Sequence, residues 1–406
     1  MKKIIILGGG FAGLGLAVHL AKLKLFDITV IDKEDYHLFT PNLYEVASAS
    51  EEMVTMGELK ESIALPFRKI SEKYRINFIQ AEVKSVNSFE KFVEAKAKKF
   101  TYDYLVLAQG SIPEYFCIPG AEQFALPLKT LPQALRIKNQ IEFAVESHKF
   151  DIQKPYVRIV VAGGGYTGVE VAGGLASLLD FLAWKYGYPR EKILVEIVEA
   201  SNTLMPGMGD RASKDAQARL KELGITVRVL SPIVQVESSW LELKSGEKMV
   251  YDCLIWTVGV RAQSVPLGLS LPLDGRGRVE TNTYLQTKTN SNIFVIGDQA
   301  LVLGNNGQSA PPSAQDAEHQ AKYLAKALPK MVKNQLPPSY EPVKHGFIVS
   351  LGSKWAILNY QPFYWIGWLA YIIDKLAHIK YFASIIGWKK AVKYVCFQTN
   401  LYERKD

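Results

Sequence analysis

Two glycine-rich turns, about 155 residues apart, constrain the fold of this chain more than anything else in it. Gly8-Gly9-Gly10-Phe11-Ala12-Gly13 and Gly163-Gly164-Gly165-Tyr166-Thr167-Gly168 both fit the pattern G-x-G-x-x-G. Each follows a continuous apolar run, residues 3–7 and 157–162, as expected of a strand covered on both faces of a parallel sheet. Each opens a helical stretch, residues 12–22 and 168–179, and each is followed by a second strand, residues 28–31 and 194–198. One supersecondary unit therefore occurs twice, which predicts two nucleotide-binding modules.

The glycines of such a turn do different work. The first permits the tight turn after the strand, the second lets backbone approach a pyrophosphate, and the third allows close helix–strand packing. The helix then presents free N–H groups and positive partial charge to phosphates. Asp32 ends the second strand of one copy and Glu199 that of the other, each able to accept hydrogen bonds from a ribose diol. A carboxylate at Glu199 also repels a 2′-phosphate, which favours NADH over NADPH. Two modules in one chain suit a fixed flavin in one and an exchangeable nicotinamide in the other, because hydride transfer needs the two rings in near-attack contact.

Composition narrows the setting. A chain of 406 residues has room for two or three domains, and 48% hydrophobic with 22% charged residues is ordinary for a folded core. A net charge of +8 fits nucleic acid, an anionic membrane or anionic cofactors. No zinc-ligand spacing or RNA-binding signature supports nucleic acid, and no metal cluster is visible. Cys117, Cys253 and Cys396 are far apart and form no C-x-x-C, so a reducing compartment fits better than a disulfide framework. Cys117 reads as a small buried hydrophobe. No apolar run is long enough for a transmembrane helix. The start, Met1-Lys2-Lys3 before Ile4, mimics a secretion signal, but Gly8, Gly9, Gly10 and Gly13 would break its helix.

Further along, Tyr102-Asp103-Tyr104-Leu105-Val106-Leu107-Ala108-Gln109-Gly110 resembles the YDYLVLAxG strand of the two-dinucleotide-binding flavoproteins. Asn292-Ile293-Phe294-Val295-Ile296-Gly297-Asp298 resembles that superfamily's second FAD signature, whose aspartate bonds the ribityl chain. Within the superfamily the chain is most similar to type II NADH:quinone oxidoreductase. Residues 35–47, DYHLFTPNLYEVA, resemble NYHLFxPLLYxVA, and residues 163–170, GGGYTGVE, resemble GGGxTGVE. WTVGVRA at 256–262 resembles WTAGVRA, and PSAQDA at 312–317 resembles PTAQxA, which begins the quinone-site motif AQxAxQ.

The resemblance implies non-covalent FAD at the Gly8 turn, NADH as substrate at the Gly163 turn, and a membrane quinone as acceptor. Beyond the two fingerprints and their acids it implies cofactor contacts at Lys33, Thr40, Val83, Ala108, Gly110, Gly259, Gly297, Asp298, Ala314 and Gln315. Glu170 and Gln315 are its catalytic candidates, and Pro41, Leu43, Glu45, Gln315 and His319 its quinone-pocket candidates. Three positions depart from the family pattern. His319 stands where the motif ends in Gln, with Gln320 one step later, Gly174 where Glu is frequent, and Glu45 where Gln is frequent. His319 is then either an exposed helix residue or a headgroup contact able to give a proton. Glu170 either influences proton uptake between nicotinamide and flavin or is a carboxylate near a helix start. Disulfide reductases and sulfide:quinone oxidoreductases of the superfamily need reactive cysteines beside the flavin, which this pattern lacks.

Residues from 340 onward change character. The stretch 365–377 is apolar and aromatic, and 380–397 reads as one amphipathic helix with Tyr381, Ile385, Trp388, Val392 and Val395 on one face. Lys389, Lys390 and Lys393 fall towards its flank and back. Such a helix suits the lipid headgroup region, where anionic lipid attracts the lysines. A helix hairpin packed on the core, or a homodimer interface, fits the same pattern; the resemblance favours the membrane.

The expectation is an α/β fold with two Rossmann-like dinucleotide-binding domains and a C-terminal amphipathic helical membrane-anchoring element. The FAD domain spans 1–115 and 286–335, the NADH domain 116–285, and the C-terminal element 336–406. The protein is expected at the cytoplasmic face of the cell membrane, reducing a quinone without pumping protons. A related reductase with a soluble acceptor, or a low-turnover flavin redox sensor, would use the same cofactors.

Overall fold

The computed structural model describes residues 1–49, 55–148, 155–304, 307, 309, 311–343 and 345–402. They form two compact units, each assembled from three stretches of chain.

The first unit comprises Met1–Leu38, Ala64–Ile112 and Val260–His345. Its core is a five-stranded parallel sheet in the order Ile293–Val295, Tyr104–Leu107, Lys2–Leu7, Phe26–Asp32, Asn77–Gln80. Ile4, Ile6, Leu7, Leu105, Val106 and Leu107 have no exposed surface, which is why these strands read as unbroken apolar runs. The helix Phe11–Leu23 covers one face, tight against the helix Ala314–Val332. A Cβ added at Gly15 would lie 3.4 Å from that of Ala321. An antiparallel meander, Val83–Asn87, Phe92–Ala95 and Lys98–Thr101, leads into the strand Tyr104–Leu107.

The second unit comprises Phe39–Ile63, Pro113–Gly259 and Gly346–Asp406, and repeats the plan. Its parallel sheet runs Leu126–Pro127, Cys253–Trp256, Val157–Ala162, Ile193–Val198, Ile225–Arg228. A meander, Ile233–Val236, Trp240–Leu243 and Lys248–Val250, again precedes the strand beside the central one. The repeat extends to single bonds. Asp103 accepts the Lys3 N–H at 2.7 Å, and Asp252 accepts the Arg158 N–H at 2.8 Å, each just before its strand.

Several expectations change. Residues 260–285 group with the first unit, whereas residues 39–63 and 346–406 group with the second. The C-terminal stretch is thus part of the second unit rather than a separate element. It consists of three antiparallel strands, Phe347–Ser350, Ala356–Tyr360 and Phe363–Gly367, then two helices, Trp368–Ile386 and Trp388–Tyr402. The single helix expected over 380–397 is broken at Gly387, whose φ of 91° lies outside any helical region. Its expected apolar face divides accordingly: Tyr381, Ile385 and Val395 are buried, while Trp388 and Val392 are exposed. Trp365 belongs to a strand. Cys117 is exposed, not buried, because residues 116 and 117 both take positive φ in a turn that projects the thiol outward. Residues Ser111–Pro113 form a short strand. No described helix is long and apolar enough to cross a membrane.

Candidate functional sites

The two glycine turns are near copies. Gly8 and Gly163 have φ of 100° and 97°, and a Cβ on either would strike the backbone of the neighbouring strand's end, at Ala108 or at Thr257–Val258. A Cβ on Gly13 would run into the Gly8 carbonyl, and one on Gly168 into that of Gly163. Gly10 and Gly165 are different: a Cβ there meets no protein atom within 4 Å. Nothing inside the protein demands glycine at these two positions, so the missing side chains leave room for something else. Both residues also cap helices, Phe11–Leu23 and Tyr166–Tyr186, that have neither a side-chain cap nor an acidic residue in the first turn. Their terminal N–H groups and positive helix ends are left for an anion. A dinucleotide pyrophosphate fits these requirements at both loops.

The acidic partners are set in matching ways. Asp32 accepts Gly9 N–H at 2.6 Å and Glu34 N–H at 2.9 Å. Glu199 accepts Gly164 N–H at 2.5 Å and Ser201 N–H at 2.7 Å. Burial pushes the Asp32 pKa up, with the Gly9 and Glu34 amides opposing it.

In the first unit a fully buried His37 holds the loop from beneath, its Nδ1 donating to the Gly9 carbonyl at 2.9 Å. The carbonyl can only accept, so Nδ1 carries the hydrogen. Burial lowers the His37 pKa to about 4, and the ring also meets Phe11 edge-on at 5.2 Å. Ala108 and Gly110 flank Gln109, whose N–H donates to Gln299 at 2.8 Å; Gln299 in turn donates to the Gln263 carbonyl at 3.0 Å. A Cβ on Gly110 also meets nothing, but its φ of 74° itself favours glycine. Asp298 accepts from the Ser111 hydroxyl at 2.5 Å and borders, with Gly297, a small open pocket also lined by Arg278, Ser313, Asp316 and Gln320. Lys33 is exposed after the second strand, and Val83 begins the meander.

Ala314 and Gln315 open the helix Ala314–Val332, capped by Ser313, which accepts from Asp316 N–H at 3.0 Å. Gln315 is exposed. His319, half-buried, meets His345 edge-on at 4.6 Å, and His345 Nε2 lies 3.6 Å from Asp316. Burial lowers the His319 pKa, helped by His345 and Lys322. Gln320 faces the other way and accepts Gly297 N–H at 2.7 Å, fixing the loop that carries Asp298.

In the second unit Tyr166 stacks on Phe347 at 5.1 Å, and Thr257 donates to the Ala162 and Gly163 carbonyls. Thr167 is exposed, and Gly259 accepts from Glu114 N–H at 3.0 Å. Thr40 and Pro41 lie in a short 3₁₀ turn, followed by buried Leu43 and by Glu45 in the helix Leu43–Ala47. Gly174 faces this helix: a Cβ there would meet the Ser48 hydroxyl at 2.6 Å, so Ser48 would have to shift to admit a larger residue.

Glu45 also belongs to a charge cluster. Lys375 Nζ lies 2.9 Å from Glu45 and 3.9 Å from Asp374, His378 lies 3.5 Å from Asp374, and Asn42 donates to Glu45 at 2.8 Å. Glu170 completes it. Burial, then Asp374 and Glu45, push the Glu170 pKa well above the carboxylate range, with the Ser350 backbone and Lys375 opposing. Burial works against the charge on Lys375, but Glu45 and Asp374 outweigh it and raise its pKa. Three carboxyls therefore share one ammonium, and Glu170 is held towards its neutral form.

Sequence reading brought out the loops, their acids and Glu170. It missed His37, Gln299, Asp374, Lys375 and His378. His37 lies inside the DYHLF stretch and was within reach; the Lys375 cluster joins Glu45 and Glu170 only through long-range packing.

Comparison with known proteins gives a consistent picture. The pyridine nucleotide-disulphide oxidoreductase family matches residues 2–321. A type II NADH:quinone oxidoreductase of Staphylococcus aureus (strain NCTC 8325 / PS 47) is 30% identical over 367 residues, 87% of this chain and 88% of that one. Among solved structures, NDH2 from Plasmodium falciparum in complex with NADH aligns with a TM-score of 0.86 at 20% identity over 98% of both chains. The sulfide:quinone oxidoreductase of Aquifex aeolicus aligns with a TM-score of 0.77 at 19% identity, over 100% of this chain and 96% of that one. At those identities the two structures share the fold.

Proposed function

Because the chain belongs to the pyridine nucleotide-disulphide oxidoreductase family, and within it to the type II NADH:quinone oxidoreductases, we propose that it passes electrons from NADH through non-covalent FAD to a membrane quinone. The observation that carries this reading is the duplicated loop with an open position at Gly10 and at Gly165. In this reading the Gly8 loop, Asp32, Gly110 and Asp298 hold FAD, and the Gly163 loop with Glu199 holds NADH. When bound, the flavin supplies a centre that accepts a hydride and releases two electrons.

The protein's part is to bind, orient and manage protons. Gly10 and Gly165 admit the pyrophosphates, while Asp32 and Glu199 take the ribose hydroxyls. Burial, with Asp374 and Glu45, raises the Glu170 pKa and so favours a proton at its carboxyl near the second helix start, where quinone reduction would draw on it. Gln315, His319, Pro41, Leu43 and Glu45 are the proposed quinone contacts. His319 brings a titratable ring where a glutamine would bring none.

We place the enzyme on the cytoplasmic face of the cell membrane, attached without a spanning helix and pumping no protons. The exposed Trp365, Trp368, Leu369, Ile372, Leu376 and Trp388, with exposed Lys389, Lys390 and Lys393, support a lipid-facing surface. A homodimer is compatible with this reading. Stopped-flow bleaching of bound flavin by NADH, followed by reoxidation with menaquinone and ubiquinone analogues in lipid, tests it. Rapid bleaching and rapid reoxidation are expected. Bleaching that only ferricyanide reverses would replace the quinone with another acceptor.

A further inference from the structure

The C-terminal strands touch both the proposed NADH loop and the proposed lipid surface. Phe347, on the first strand, stacks on Tyr166 of the glycine fingerprint with rings 12° from parallel. Asn359, on the second, donates to the Met208 carbonyl at 2.7 Å. Tyr364, on the third, donates to Asp215 at 2.6 Å while its ring lies 4.1 Å from the Arg211 guanidinium. Met208 belongs to the loop that lies over the fingerprint. Met205 N–H donates to the Gly164 carbonyl at 2.9 Å, and Leu204 crowds Gly164. Arg211 and Asp215 sit on the helix Asp210–Glu222 that continues from that loop.

The same third strand turns Phe363, Trp365 and Ile366 outward, each more than two-fifths exposed. The apolar surface continues onto the next helix through Trp368, Ile372 and Leu376, spaced four residues apart on one stripe. Between residues 368 and 402 the exposed charged side chains are Lys380, Lys389, Lys390 and Lys393, all positive. An apolar stripe beside exposed lysines matches an anionic lipid surface.

We propose that lipid docking and dinucleotide binding are linked through these strands, so that an anionic bilayer tightens the NADH site. This inference rests on the membrane reading above and adds regulation to it. A bilayer that fixes the strand Phe363–Gly367 fixes Tyr364 on Asp215 and Asn359 on Met208. The fingerprint's covering loop then has less freedom to lose when the dinucleotide arrives. Linkage is reciprocal, so bound dinucleotide also tightens lipid attachment. Asn359 and Tyr364 act in this proposal as positioning residues, through Met208 and Asp215.

The test uses FAD-loaded protein, NAD⁺ as a dinucleotide that cannot reduce the flavin, and vesicles of equal parts phosphatidylglycerol and phosphatidylcholine. Co-sedimentation measures lipid binding, and quenching of protein fluorescence measures the NAD⁺ Kd. Wild-type protein should sediment with the vesicles, and its NAD⁺ Kd should fall about fivefold. Asn359→Ala and Tyr364→Phe should sediment as wild type does but lose most of that shift. A wild-type Kd unchanged while the protein is vesicle-bound overturns the linkage and leaves the membrane reading standing. Variants that keep the full shift overturn the assigned route. Failure of the wild type to sediment overturns the membrane reading and the linkage with it.

Discussion

Gly10 and Gly13 are both glycine, yet for opposite reasons. Gly13 is confined by the protein, since a Cβ would collide with the Gly8 carbonyl, whereas Gly10 borders open space. Gly13→Ala should therefore destabilise the FAD-free protein by about 1–3 kcal/mol. Gly10→Ala should leave its melting temperature unchanged while the purified protein loses its flavin absorbance. His37 gives a pH signature. Its folded pKa of about 4 lies below the unfolded 6.5, so the unfolded chain binds the extra proton first. Its contribution is intact above pH 6.5 and is lost as pH falls towards 4, at up to about 1.4 kcal/mol per pH unit. Urea unfolding across that window should show a shallower decline for His37→Asn, whose amide can still donate to the Gly9 carbonyl. Glu170 has the reverse sign. Its folded pKa is raised, so folding loses stability as pH climbs above 4.5. Glu170→Gln keeps the neutral hydrogen-bonding shape without the titration. It should melt at least as high as wild type at pH 8, yet reduce quinone at least tenfold more slowly, with NADH bleaching of the flavin nearly intact. Local spacing made Gly10, Gly13 and Asp32 legible, because a tight turn and its acid are short-range patterns. The proton affinity of Glu170 depends on its burial and on Asp374 and Lys375, some 200 residues away in the chain, and no local pattern carries that.

At the scale of elements, the strands and loops followed from sequence because buried parallel strands are continuous apolar runs and helices start after glycine turns. The C-terminal helices did not. A wheel drawn through residues 380–397 treats Gly387 as one more position, but its backbone conformation ends one helix before Trp388 begins the next. Apolar residues placed on one face by arithmetic then serve two purposes, with Tyr381, Ile385 and Val395 inside and Trp388 and Val392 outside. Gly387→Ala should cost about 1–3 kcal/mol in urea unfolding, because a side chain is strained at that φ and ψ. The meanders were also illegible as a repeat. Their sequences share little beyond the Tyr-Asp pair at 102–103 and 251–252, whose aspartates tether the next strand in the same way in both units.

At the scale of the whole molecule, two Rossmann-like units were expected and two are found, but with boundaries that cross those expected. Residues 39–63 and 346–406 group with the second unit, and side chains far apart in sequence meet there, as in the 4.7 Å contact between the Phe39 and Phe382 rings. The lysines near the C-terminus act at this scale too. Replacing Lys389, Lys390 and Lys393 by Gln should weaken binding to anionic vesicles by about 3 kcal/mol at low salt. Wild-type binding should fall as salt rises, and both effects are measurable by sedimentation. The interleaving of segments bears on how the protein is made. The strand Tyr104–Leu107 finds its outer neighbour only in Ile293–Val295, which leaves the ribosome nearly 190 residues later. At ordinary elongation rates that edge stays unpaired for about 10 to 40 s, offering open N–H and C=O groups to any other nascent chain. Synthesis is thus the period in which this fold is most exposed to mispairing, and slow translation or early termination before residue 293 would lengthen it.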